Sequence, residues 1–572
     1  MLAARQHIQP VYIAASVVVC ITVIFPGWLF SQDTTAKLSE KPFSIHGNIS
    51  LNLIGYYSRG IPSRSDPFSA ILSASATPKI KNFELPFSLV FSGNETGLTH
   101  TSQSFSQIGI SPRWKWITLH GGYRNVTFSN FTLAGHTFLG GGIELSPGKF
   151  RFGFIYGRFD RKTNGSNIST TDKLSHFARR GFAVKLGVGT EKNYFDLLFL
   201  RIRDDSSSLQ QPDTGTITLP EQNTVAGFNG HFTIARKLTW DMEGAFSLYT
   251  TNLAAQTIEE IEEDNTLHSL NKFLGINFSS EYYYAIRSSL QYKERNWGVK
   301  LDYRRIEPGY RSMGAYFFNN DVQNITLSPS FALFKRKLTV SGAIGLQEDN
   351  LRGTKRATSA RTIGNVNISF NPKPKYGFTA SYSNYSINQR AGTIPLNDTA
   401  RGRQATHSFM FTPRFMLITP ERSHMVMLVY NLVAGRDRNE FTAPFTRFTS
   451  QIAQLNYALG LTKTKWSVNT GITCTLISNY IADITGIGGT IGISKTLLKD
   501  KLSIGWINAV TRNNAGSTDA YIYNSNLTAT CRAGKHHNFR LYIYFTGNFT
   551  GTGSYNPSFN ELKGDLSYVF TF

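Results

Sequence analysis

Leu238-Thr239-Trp240-Asp241-Met242-Glu243-Gly244-Ala245-Phe246-Ser247-Leu248 is the stretch whose reading decides the fold. It follows the basic pair Arg236-Lys237 and precedes a long polar segment. Large apolar residues stand at even positions and mostly polar residues at odd ones. Successive side chains on a strand point to opposite faces, so this segment has one oily and one wet face. The pattern recurs. Trp297, Val299, Leu301 and Tyr303 alternate with Gly298, Lys300, Asp302 and Arg304. Leu338, Val340, Gly342, Ile344 and Leu346 repeat it, as do Trp466, Val468, Thr470, Ile472, Cys474 and Leu476, and Phe539, Leu541, Ile543 and Phe545 around Arg540. A soluble β-sandwich alternates in the same way, so alternation alone does not separate the two folds.

The connections do. Short turns run Pro78-Lys79-Ile80-Lys81, Ser111-Pro112-Arg113, Ser146-Pro147-Gly148-Lys149, Glu191-Lys192-Asn193, Arg236-Lys237 and Lys293-Glu294-Arg295-Asn296. They continue as Lys335-Arg336-Lys337, Pro372-Lys373-Pro374-Lys375, Pro420-Glu421-Arg422, Lys463-Thr464-Lys465, Lys499-Asp500-Lys501 and Gly534-Lys535-His536-His537. Between consecutive turns lies one hairpin, usually tipped by a longer polar loop, as at 159–178, 204–221, 251–281, 307–322, 348–361, 389–404 and 436–448. Short turns at one end and long loops at the other are the plan of a transmembrane barrel. Twelve turns flanked by terminal strands predict an all-β, single closed antiparallel transmembrane β-barrel of about 26 strands, with 22 as the lower bound. Two features resist this count. Pro413 falls inside a strand, and the run Tyr194–Leu200 is apolar without clean alternation.

Composition agrees. The chain has 572 residues, 17% charged and 13% aromatic, with 42 Phe and 26 Tyr. Disordered chains lack such aromatic content, and helical membrane proteins need repeated apolar runs of about 20 residues. One apolar run exists, Val11 to Phe30, after Arg5 and before Ser31-Gln32-Asp33. It predicts a signal peptide over 1–32, then a linker over 33–42, with the barrel over 43–572. Cleavage there would lower the formal charge from +22 to +21, Arg5 being the only charged residue removed. Much of the basic excess sits in turns rather than on one patch, which argues against nucleic acid as a partner.

The C-terminus carries a resemblance. Leu566, Tyr568, Phe570 and Phe572 alternate after Lys563-Gly564, and this resembles the C-terminal recognition strand of Gram-negative outer-membrane proteins. Gly564 to Phe572 would then be read by the barrel-assembly machinery. The chain as a whole resembles large bacterial outer-membrane β-barrels, and alternation begins by Phe43, too early for the plug domain of TonB-dependent receptors. The resemblance implies an outer-membrane location in contact with lipid and lipopolysaccharide. Ala134–Gly142 and Gly314–Asp321 look like loop motifs of such a family.

The sequence supplies no catalytic or metal constellation and implies no cofactor. His536-His537 lie in a turn, His231 stands alone, and Ser175-His176 and Ser423-His424 lack an orienting partner. Gly486 to Gly492 reads as a small-residue wall rather than a phosphate loop. Residues 252–274 have helical spacing and suit either a loop helix or an acidic surface loop. Asp241, Glu243, Lys300, Asp302, Arg304 and Arg540 are candidates for the lumen, and Arg158, Arg161, Arg179 and Arg180 for lipopolysaccharide phosphates. A lumen of this girth is open or plugged, so the expected function is a channel or partner-gated pore, obstructed by its own loops or by a separate plug or periplasmic partner. The alternatives are a non-conducting component of a secretion or surface complex and, more remotely, a lipid-modifying enzyme.

Overall fold

A computed structural model describes residues 43–92, 107–163, 175–209, 218–256, 273–316, 319–393, 395, 399, 401–516, 518–551 and 558–572. The expected signal and linker lie outside these residues, as does most of the 252–274 segment.

Every strand pairs antiparallel, the membrane-length crossings following one another in chain order, and the last strand, Phe559–Thr571, pairs with the first, Phe43–Arg59. Phe570 faces Ile49, Tyr568 faces Leu51, Leu566 faces Leu53 and Gly564 faces Gly55 across this closing seam. Beyond it, Gly47 and Phe572 exchange backbone N–H···O bonds of 2.9 and 3.0 Å. Among the described residues there are 28 strands. Phe83–Glu84 with Phe87–Ser92 forms one crossing interrupted at Leu85-Pro86, and Gln107–Ile110 with Arg113–Trp114 forms another interrupted at Ser111-Pro112. The barrel therefore has 26 staves (28 − 2). The segment Ser111-Pro112-Arg113, expected to be a turn, is the break inside the second of these; the turn itself is Lys115-Trp116. A proline without an N–H interrupts a ladder as readily as a hairpin does, which is why the two look alike in sequence.

Pro413 shows the same effect inside a continuous stave. It pairs with Phe378 on one side, while on the other the ladder lapses between Phe411↔Tyr430 and Arg414↔Met427. Pro329 repeats this: paired with Val299, it leaves a gap between Leu327↔Ile344 and Ser330↔Ser341. Each proline aims its missing donor at one neighbour only, and the sheet closes around the loss.

Several short turns hold non-glycine residues at positive φ, including Arg236 (62°), Lys335 (55°), Arg336 (66°) and Asp500 (70°). Left-handed turn residues match the right-handed twist of the flanking strands. Following the ladder register around the barrel, the convex face collects the apolar set. Ile472, Ile487 and Leu346 are 59%, 60% and 59% exposed there. Apolar exposure on that scale is foreign to soluble monomers, and the unbroken staves, from the 9 residues of Ile117–Asn125 to the 17 of Phe43–Arg59, reach or exceed the roughly 9–11 needed to cross a bilayer.

Candidate functional site: two loops folded into the barrel

The concave face is not uniformly wet. A buried apolar cluster draws Phe138, Ile155, Ala183, Leu200, Val225, Ala245, Ala285, Ile306 and Val322 from nine successive staves. Residues from so wide an arc converge only on the inner side of a curved wall. What they pack against is a pair of loops.

The first, residues 126–136, joins Ile117–Asn125 to Thr137–Leu145 and buries Val126, Phe128, Phe131 and Leu133. It folds back on itself through Phe128 N–H to Leu133 O at 2.9 Å and a 2.9 Å bond between the Ser129 and Thr132 hydroxyls. The second, residues 307–321, joins Trp297–Ile306 to the stave Val322–Leu333 and buries Tyr310 and Met313. Tyr310 is wholly enclosed, its ring edge-on to Phe131 at 6.1 Å, and its hydroxyl donates to Phe131 O at 2.6 Å. Burial, aided by the Glu243 charge, raises the Tyr310 phenol far above its usual range, so it remains a donor. Ala134 N–H donates to Gly314 O at 3.0 Å, and His136 stacks on Tyr316 at 4.4 Å. A Cβ on Gly314 would lie 2.7 Å from Thr132 O, so the loops approach this closely only because that residue is glycine. The two motifs noted in the sequence, at 134–142 and 314–321, therefore meet at their near ends.

The wall holds the loops by polar contacts. Glu243 accepts from Phe131 N–H and Asn130 Nδ2, each at 2.9 Å. Asn223 accepts from Met313 N–H at 3.0 Å, and Ser247 donates to Arg311 O at 2.7 Å. Gly153 leaves space for the Phe128 ring, which a Cβ would meet at 2.9 Å. Because the loops cover this part of the wall, the stave Asn193–Asp205 is apolar on both faces. Leu198, Leu200 and Ile202 turn inward while Leu197 and Phe195 turn outward. A doubly covered strand loses its alternation, which accounts for the irregular run at Tyr194–Leu200.

The ladder register puts Asp241, Glu243, Lys300, Asp302, Arg304 and Arg540 on the concave face, although not in one place. Glu243, Arg287, Arg304, Asn324, Gln347 and Arg361 form one level row, each paired with the next. Arg287 is occupied by Asp302 at 2.9 Å. Arg304 Nε, Asn324 Oδ1 and Arg361 Nε are buried without a hydrogen-bond partner among the described residues. Arg287 and Arg304 also line a crevice of about 500 Å³ beside Phe131, Ala134, Ala315 and Tyr316. Arg540 stands far around the barrel, opposite Ser567 on a stave that also turns Asp565, Lys563 and Glu561 inward, while Tyr544 donates to Asn524 at 3.1 Å and Gly486, Gly488 and Thr490 line the wall three staves away.

Of the four arginines expected at the lipopolysaccharide surface, Arg179 points inward. It binds Asp204 at 2.8 Å and Glu221 at 3.0 Å. Arg158 and Arg180 are opposed across one seam, with Arg180 3.6 Å from Asp205, and Arg161 reaches Tyr123 Oη. His176 is turned to Thr163 and the Phe177 carbonyl, and His424 to Tyr457. Among the described residues no group of three or more His, Cys, Asp or Glu side chains is placed to hold a metal. Phe128, Phe131, Leu133 and Tyr310 escaped the sequence reading. Their signal was present, since large apolar residues in a stretch that should be a wet loop need somewhere to go.

The loops also carry a pH-sensitive joint. Asp321, at the end of the second loop, accepts from Leu351 N–H at 2.8 Å and Asn350 N–H at 3.1 Å and pairs with Lys355. Burial would raise its pKa, but the Lys355 ammonium and the two N–H donors outweigh it and lower the value. A lowered folded pKa means stabilisation that is complete above the unfolded value of about 3.9 and lost as pH falls through the folded one. Limited proteolysis within 349–356 is therefore expected to rise only in acid, below that range. Asp321→Asn is expected to show the higher cleavage already at neutral pH.

No family model matches the chain, and no curated protein matches it. Among solved structures it is similar to the Acinetobacter baumannii protein OccAB2, with a TM-score of 0.32 and 9% identity over 62% of this chain and 92% of that one. It is similar to the P pilus usher (PapC) translocation pore at 0.35 and 13%, over 92% and 99%. OpdK of Pseudomonas aeruginosa, solved with vanillate, follows at 0.30 and 10%, over 62% and 93%. Likenesses this loose carry no argument, and the architecture rests on the chain's own ladder. The chain is a single closed antiparallel β-barrel of 26 staves, lined along one arc by two of its own loops.

Proposed function

We propose that the chain spans the outer membrane of a Gram-negative bacterium and passes a polar solute or partner-gated cargo along an off-centre path beside the two loops. The single observation that carries this reading is the closed ladder, oily outside and largely polar inside away from the two loops that dock along one arc among the described residues. Lipid satisfies no backbone groups, so a spanning sheet must close, and closure at this strand number encloses a wide lumen. Asp241, Lys300, Asp302 and Arg304 are the candidate wall residues on the loop side of such a path and Arg540 is one on the far flank, while Glu243, buried under the first loop, holds that loop in place. Arg158, Arg161 and Arg180 remain candidates for lipopolysaccharide phosphates, and the Gly564–Phe572 strand for recognition by the assembly machinery.

Purified protein in planar bilayers is expected to give large, stable openings. A silent barrel that co-purifies with stoichiometric partners would instead favour the scaffold reading. With two unpartnered guanidinium Nε atoms in one row, the wild-type pore is expected to prefer anions. Arg304→Glu with Arg361→Glu is expected to lower the anion-to-cation permeability ratio several-fold, read from the reversal potential under a salt gradient.

A further inference from the structure

The weakest seam of the wall lies between the broken stave Gln107–Ile110/Arg113–Trp114 and the strand Ile117–Asn125. Its ladder holds four paired positions: Arg113↔Thr118, Trp114↔Ile117, Gly109↔Gly122 and Ile110↔Gly121. That is the fewest of any seam among the described residues, against twelve at the closing seam. The causes are chemical. Pro112 breaks the stave, and Gly109, Gly121 and Gly122 bring no side chains to the cross-strand pairs that stabilise a sheet. Gly122 sits at φ +83°, where a Cβ would lie 2.5 Å from Ile108 O, so other residues resist this bend.

Side chains bridge the seam where the ladder does not. Arg124 Nε donates to Ser111 Oγ at 2.7 Å, and its Nη1 donates to Ser88 Oγ at 3.1 Å on the stave beyond. Ser111 Oγ also shares a 2.9 Å hydrogen bond with His120 Nδ1, whose Nε2 lies 3.2 Å from Glu144. Hydroxyls are weak partners for a guanidinium, and a ligand oxyanion would replace them favourably.

Directly behind this seam is a cavity of about 930 Å³, reaching the turn end of the barrel. Five of its lining residues are Lys or Arg, against Glu144 and Glu191. Lys185 is taken by Glu144 at 2.7 Å and Arg151 by Asp196 at 2.7 Å. Arg113, Lys115 and Arg124 have no carboxylate partner among the described residues. In front of the seam, on the convex face, Ile108, Ile110, Trp114 and Leu119 are exposed. Tryptophan at a strand end is suited to the bilayer interface. An oily approach, a thin wall and an unneutralised basic chamber are thus aligned.

We infer that this seam is a side entrance for an anionic lipid. Its phosphate is held by Arg113 and Arg124 inside the wall and by Lys115 at the turn beside them, and its acyl chains reach the bilayer where the Ile110↔Gly121 pair parts. The inference rests on the membrane reading of the convex face but not on conduction through the lumen, so a silent barrel leaves it intact.

The test uses the full chain in a Cys20→Ser, Cys474→Ser, Cys531→Ser background, followed by native mass spectrometry after titration with phosphatidylglycerol, phosphatidylcholine, glycerol phosphate or inorganic phosphate. Phosphatidylglycerol is expected to be retained in preference to phosphatidylcholine, with neither soluble phosphate displacing it. Retention is expected to fall about tenfold or more in Arg113→Gln/Lys115→Gln/Arg124→Gln, as for the loss of a charge-assisted hydrogen bond. Lys115→Gln alone, in an exposed turn, gives a smaller loss should the triple variant not fold. Ile110→Cys with Gly121→Cys is expected to stop loading when oxidised and restore it when reduced. A Cβ on Gly121 meets nothing nearer than Ile110 Cγ2 at 3.4 Å, so the pair fits. Equal retention of the two lipids would overturn the proposal. So would equal loading by the oxidised and reduced barrels, and displacement by glycerol phosphate would make the site one for a soluble anion.

Discussion

Tyr310→Ala is expected to raise single-channel conductance several-fold while leaving the barrel closed. The ring is fully buried between the loops, and its hydroxyl ties them together at Phe131 O. Truncating a buried aromatic costs about 3–5 kcal/mol. The hydrogen bonds that dock the loops are worth only about 1 kcal/mol apiece. The loss is therefore comparable to the docking energy itself, and the second loop should come away from the wall. Proteases should then cut at Arg311, while unheated electrophoretic mobility stays that of the folded barrel. Tyr310→Phe keeps the ring and loses one bond, so its conductance should stay near wild type. An unchanged conductance in Tyr310→Ala would mean that the loops do not narrow the path.

Deleting residues 559–572 should abolish the barrel outright. This strand pairs at twelve positions with Phe43–Arg59 and at twelve with His537–Thr550. Its removal exposes two long edges, and in hydrocarbon each unsatisfied group costs several kcal/mol. The truncated chain, refolded from urea into detergent so that cellular recognition plays no part, is expected to show no heat-modifiable band. A compact, heat-modifiable product would show that the remaining wall closes without it.

Much of this architecture could be read before any coordinates. Alternation at Leu238–Leu248 and the parity of turns and loops were enough, because lipid forces a side-chain period of two and a closed edge. Eleven of the twelve short turns lie at or beside the residues that suggested them, and Ser111-Pro112-Arg113 failed because proline marks a broken ladder as well as a hairpin. The filling was harder to see. Phe131 and Tyr310 meet from 179 residues apart in the chain, and no local period announces such a contact. Arg179 likewise sits beside Arg180 in sequence yet opposite it in space, since adjacent strand residues never share a face. The alternation that revealed the barrel therefore also separates neighbours grouped by proximity in the chain.

The arrangement of the docking points has a mechanical result. The apolar anchors come from nine consecutive staves, and among the described residues the other seventeen (26 − 9) supply no buried side chain to this cluster. The filling is cantilevered from one flank rather than braced across the diameter. The free flank can therefore flatten or bulge with the surrounding bilayer without prying the loops loose, and the loops can swing without loosening the hoop.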